Sequence, residues 1–239
     1  MRKITFNRRI TIFLRDIVPC SDENRRRIAV ALPSACIAPN IHIVPQPILG
    51  APPMEDGMPW VLREDMIMGR EFIGFDNNRI DFISNVTSTD ENGCVGQCLN
   101  RLLSVLESLD RHDIIRVAYH PSVALEDITD VQGYFDKMVK APTYEGSRPT
   151  GVNVMFTYRM QKEILDREMM VNVVSRISQG NKTERNGNKV VDTSVIPIVD
   201  NDINTVELKD DALSAEAVKD FFAKAVEWNS TLIDNCLKV

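Results

Sequence analysis

Histidine and cysteine are scarce in this chain, with three of the first and five of the second among 239 residues, and aromatic residues make up only 6%. Cys20, Cys36, Cys94, Cys98 and Cys236 form an odd set without paired spacing. The N-terminal stretch is interrupted by charge and offers no signal-peptide core, so these thiols read as reduced and the protein is expected to be cytoplasmic. No apolar run approaches the ~18 residues of a membrane-spanning helix. Also missing are the Gly-x-x-x-x-Gly-Lys-Ser/Thr and Gly-x-Gly-x-x-Gly phosphate loops and the Gly-x-Ser-x-Gly nucleophile elbow. No linear motif therefore assigns a catalytic residue, a metal or a cofactor, and none is expected.

What is present is an ordinary globular composition, 44% hydrophobic and 26% charged, with a net charge of −6. An acidic total with few aromatics disfavours nucleic acid as a partner. The charge is unevenly spread. Residues 1–30 hold eight bases against three acids, while residues 190–239 hold four bases against ten acids. Solvation of both ends, or contact between them, is the plain account. The sharper one makes Arg8, Arg9, Arg25, Arg26 and Arg27 a binding patch for an acidic partner or phosphate.

Periodicity organises the chain. Residues 4–14 alternate with a period near two and predict a strand whose solvent face carries Lys3, Arg9 and Arg15, with Arg8 on the apolar side. Residues 28–32 are compatible with a short helix or a strand. Seven of the twelve prolines fall in 33–59, which predicts an extended loop with an edge strand near Ile41–Val44. Strands are expected over 60–64 and 66–75, then a tight turn at 76–79, a return strand, and a helix with its apolar stripe from Cys94 to Leu109. A strand over 113–120 should stop at Pro121. The second half begins with a short helix near 128–139 and a Pro/Gly linker over 141–151. Strands follow at 152–160, 168–177 and 189–198, with a polar loop across 178–188. Ser214 then caps a long helix whose stripe includes Val218, Phe221, Phe222, Val226 and Ile233.

The pattern predicts an α+β fold of mainly antiparallel sheet in two similar halves, each a strand meander followed by a long amphipathic helix packed on one face. The halves are 1–125, with the Pro-rich loop 33–59, and 126–239, either as separate domains or as one continuous domain. The order of Trp60, Asn78-Arg79-Ile80-Asp81-Phe82-Ile83, a terminal acidic strand and a last helix with Phe221, Phe222 and Trp228 resembles a sporadically distributed, uncharacterised family of bacterial α+β proteins. That resemblance brings no activity and no site residues.

The remaining constellations have plain accounts. Cys94 and Cys98 lie one helical turn apart and, with His112 or His120, could hold zinc, but both fall on an apolar stripe where cysteine packs as a small hydrophobe. Asp200-Asn201-Asp202 resembles the opening of a calcium loop but lacks the glycine and the terminal glutamate, and reads as a solvated turn. Asn229 falls on the last helix's stripe as a candidate buried polar group. The expected function is a non-enzymatic, protein-binding or assembly subunit with a homo- or hetero-oligomeric partner and no membrane. The alternative is an enzyme or phosphate-ligand protein with a site built from scattered Arg and Asp residues.

Overall fold

A computed structural model describes residues 2–19, 21–31, 42–43, 60–63, 71–76, 78–139, 151–186 and 189–238. The expected loop 33–59, apart from His42–Ile43, and the linker expected over 141–151, apart from Gly151, lie outside the described residues. The elements run β1 (Lys3–Leu14), α1 (Asp22–Ala31), β2 (His42–Ile43), β3 (Trp60–Arg63), β4 (Glu71–Asp76), β5 (Arg79–Ser84), α2 (Glu91–Ser108), β6 (Ile114–Leu125), α3 (Val131–Met138), β7 (Asn153–Ile164), β8 (Arg167–Asn186), β9 (Lys189–Thr205) and α4 (Ala215–Cys236). The fold is α+β. The strands form one sheet in the order β2-β3-β4-β5-β1-β6-β9-β8-β7, with antiparallel neighbours throughout. Seven strands carry most of it, and the short β2 and β3 extend one side.

Alternation along the strands gives the sheet one apolar face, and the helices cover it. Ile10 and Ile12 of β1, Val117 and Tyr119 of β6, Val171 and Val173 of β8 and Ile203 of β9 share one core with Ile28 of α1, Leu102 of α2 and Phe221 of α4. A second cluster gathers Phe135 of α3 and Ile233 of α4 over Val123, Ile177 and Val199. Both halves of the sequence thus feed one sheet, joined where β6 pairs with β9.

The helices start where side-chain oxygens cap free N–H groups. Asp90 accepts from Gly93 N at 3.0 Å, Asp130 from Gly133 N at 2.8 Å, and Ser214 from Ala217 N at 3.1 Å. The cap expected at Ser214 is therefore present, and Phe221, Phe222 and Ala225 on the predicted stripe are fully or almost fully buried.

Four expectations are corrected. The strand expected to end at Pro121 continues to Leu125, because Pro121 keeps its place opposite Arg8 of β1 while the register with β9 skips from Tyr119 to Ser122. One missing donor is tolerated where the ladder lapses. Within the stretch expected as a polar loop, residues 178–186 are strand, since β8 runs to Asn186 and pairs with β9 as a long hairpin arm, while 187–188 lie outside the described residues. Asp200-Asn201-Asp202 lies inside β9 rather than in a turn, and Asn201 is buried. Lys3 does not share a face with Arg9. A register shift between Thr5 and Asn7 inserts an extra residue and reverses the alternation, so Lys3 reaches Asp234 of α4 on the helix side.

Phe221 is enclosed by Phe222 and Trp228, at ring-centroid distances of 5.1 and 6.2 Å. Phe221→Ala is expected to cost about 3–5 kcal/mol in denaturant unfolding, seen as a lower midpoint with unchanged slope.

Candidate binding edge

The arginines singled out in the sequence do not form one patch. Arg8 is 1% exposed. It donates from Nε and Nη2 to the two carboxylate oxygens of Glu91, each at 3.0 Å, and from Nη1 to the Val86 carbonyl at 2.7 Å. Tyr119 donates its hydroxyl to the same carboxylate at 2.5 Å. Burial works against the Arg8 charge, but Glu91 outweighs it and holds the guanidinium pKa above its usual value. Burial beside Glu91 pushes the Tyr119 pKa well up. Arg9 points to the opposite face of the sheet, is half-buried, and its Nε has no partner among the described residues. Arg26 and Arg27 are exposed on α1, where Arg27 pairs with Glu23 one turn earlier. The Arg25 side chain lies outside the described residues.

The other candidates also separate. Cys98 is 3% exposed in the core, and burial pushes its thiol up to about 12, which makes it a poor nucleophile or metal ligand at neutral pH. His120, opposite Arg9, lies on the face turned away from Arg8, with Nε2 3.0 Å from Asp202 Oδ1. Burial raises the Asp202 pKa, but hydrogen bonds and charge from His120, Asn204 and Arg116 prevail, and it sits below the ordinary aspartate range. Arg116 also donates to Asn204 at 3.0 Å and covers the Phe13 ring at 4.7 Å. These are local pairings across strands rather than convergent groups around an empty centre. Asn229 is 4% exposed and accepts from Asn201 at 2.7 Å, joining α4 to β9 by a buried amide pair.

One edge of the sheet stands apart. Among the described residues β3 and β2 end the other side with four and two residues, whereas β7 presents twelve. β7 pairs with β8 from Asn153↔Ser178 to Ile164↔Arg167 without a register shift. Natural sheets blunt long edges with bulges, prolines or charged side chains; β7 has no bulge and no proline, and its charges are Lys162 on the helix side and Arg159 and Glu163 on the other. The helix-side residues Phe156 and Tyr158 are 38% and 42% exposed, with rings stacked at 6.5 Å and 27°.

Helix α4 holds the hairpin end of this strand, and among the described residues nothing pairs with the strand's outer side. The β7–β8 turn at Leu165 and Asp166 has φ of 44° and 60°, the left-handed pair that a tight hairpin requires. Asp220 accepts from Leu165 N at 2.7 Å, and Lys224 donates to the Glu163 carbonyl at 2.9 Å. Between α4 and β7 lies an open groove of about 410 Å³, walled by Phe156, Tyr158, Met160, Trp228 and Leu232. Lys162 sits 5.5 Å over the Trp228 ring. On the floor, Ser175 is 2% exposed and its hydroxyl has no partner among the described residues. The alternation over 152–160 announces this strand in the sequence. Its position at the rim does not show there, because a half-buried inner strand carries the same pattern.

Comparison with family models, with curated proteins and with solved structures finds no match to this chain. Among the described residues no helix is long and apolar enough to cross a membrane.

Removing one member of the buried Arg8–Glu91 pair leaves a charge without compensation. Glu91→Gln is expected to destabilise the protein by about 3 kcal/mol, while Arg8→Met combined with Glu91→Leu costs less, as read by chemical denaturation.

Proposed function

We propose that this chain is a non-enzymatic assembly subunit that binds another polypeptide by strand addition along the free edge of β7. The observation that carries this reading is the uninterrupted edge Asn153–Ile164 beside exposed Phe156 and Tyr158. A strand laid against such an edge satisfies backbone N–H and C=O groups, and its alternate side chains meet the aromatic groove, which supplies specificity. The family resemblance, the bacterial origin and the cytoplasmic location belong to the same proposal, as does the similar build of halves 1–125 and 126–239. The enzyme or phosphate-ligand alternative draws on Arg and Asp residues, several of which are spent on internal pairs: Arg111 with Asp113, Arg167 with Asp211 and Arg79 with Asp81.

Photo-crosslinking tests this directly. With p-benzoylphenylalanine replacing Tyr158, irradiation of host cells is expected to give a polypeptide adduct of discrete mass. The same probe replacing Val30, which is 86% exposed on α1, is expected to give none. Absence of an adduct at position 158, or equal yields at both positions, contradicts the proposal.

A further inference from the structure

We infer that the occupant of the β7 edge is a second copy of this chain, paired antiparallel about a two-fold axis through Thr157. The inference rests on the strand-addition reading and names its partner. Its basis is the sequence of β7, Asn-Val-Met-Phe-Thr-Tyr-Arg-Met-Gln-Lys-Glu-Ile, read against the rules of symmetric pairing.

A two-fold axis perpendicular to the sheet carries the helix side of one chain onto the helix side of the other. Directly opposed residues of an antiparallel pair also share a face, so the axis must pass through a residue and not between two. Few axes remain. One through Arg159 sets two guanidinium groups opposite each other. An axis through Tyr158 leaves those groups one diagonal apart and places Lys162 against Val154, and an axis through Met160 places Lys162 against Tyr158. An axis through Phe156 pairs only residues 153–159.

The axis through Thr157 pairs residues 153–161 of both chains, keeps the guanidinium groups apart and leaves Lys162 outside the paired segment, level with Val152 just before the strand of the second copy. On the helix side Phe156 faces Tyr158 of the second copy and Val154 faces Met160, each twice. On the other side Thr157 meets Thr157, Met155 meets Arg159 and Asn153 meets Gln161. Aromatic, β-branched and Thr–Thr pairs of this kind are the favourable cross-strand combinations. The already stacked Phe156 and Tyr158 of each chain then form a group of four rings. The two grooves beside α4 meet across the axis as one apolar floor with both helix layers on the same side. Nine residues from each chain is fewer than the ~20–30 a side of a standard interface, so a reversible dimer in roughly the micromolar range is expected.

Sedimentation analysis of the full chain between about 1 and 200 µM supplies the test, with mass rising from the 27.0 kDa monomer towards twice that value. Phe156→Lys and Tyr158→Glu should each weaken association by about tenfold or more, since each change occurs twice in the interface. Combined in one chain, they place Lys opposite Glu across the axis and should return association to within about threefold of the original. If either change disturbs folding, as read by circular dichroism, the exposed Thr157 provides a second route. Thr157→Glu and Thr157→Lys should each be monomeric alone and associate when mixed. A chain that stays monomeric throughout overturns the inference. So does a dimer indifferent to these changes, or one whose paired substitutions fail to restore it. A monomeric chain that still gives a heterologous adduct at position 158 removes the inference and keeps strand addition. A chain that gives neither loses both.

Discussion

The ion pair between Arg8 and Glu91 is the constraint from which the helix layer takes its position. A guanidinium that is 1% exposed in the middle strand of the sheet is tolerated only with a carboxylate in fixed geometry. Glu91 is the first residue of α2, where the helix N-terminus favours negative charge and Asp90 caps the free N–H groups. The bidentate contact seats the start of α2 over β1, and the Tyr119 hydroxyl on the same carboxylate brings in β6. Tyr119 meets Phe222 edge-on at 6.4 Å, which extends the arrangement to α4.

With α2 and α4 drawn together over β1, β6 and β9, the helix layer ends before the sheet does. α4 reaches β7 through Asp220 and Lys224 at the hairpin end and through Trp228 beside Lys162, and Ile164 of β7 enters the core it shares with Phe221. Among the described residues nothing pairs with the outer backbone of β7, and its middle carries two exposed aromatic rings. A regular twelve-residue edge with these features tends to pair with another chain unless something blunts it. The functional proposal follows from how far the helix layer extends, and requires no cofactor or reactive side chain.

Much of the fold is legible in the sequence because local periodicity and caps agree with the tertiary arrangement. Ser214 and the stripe Val218, Phe221, Phe222 specify α4, and the alternation at Val152–Met160 specifies β7. Misreadings arise where pairing overrides local preference. The polar run 178–186 has a loop's composition, yet it becomes strand because β9 supplies a partner at nearly every position. Pro121 loses its breaking power opposite Arg8, and an extra residue between Thr5 and Asn7 reverses the face of Lys3. The candidate site was less legible. Periodicity places Arg8 on the apolar side of its strand while its charge groups it with a binding patch, and only Glu91 beside it decides between the two. The alternation of β7 does not say that it lies at the edge.

The central claim is that the edge of β7 is a pairing surface open in the monomer and closed on association. Residue-resolved hydrogen exchange of the full chain, at about 1 and about 100 µM, addresses it most directly. Alternate amides of Asn153–Gln161 point to β8 and should be protected at both concentrations. Those between them point outward and should exchange freely when dilute but become protected when concentrated. Outward amides that exchange alike at both concentrations would contradict the account.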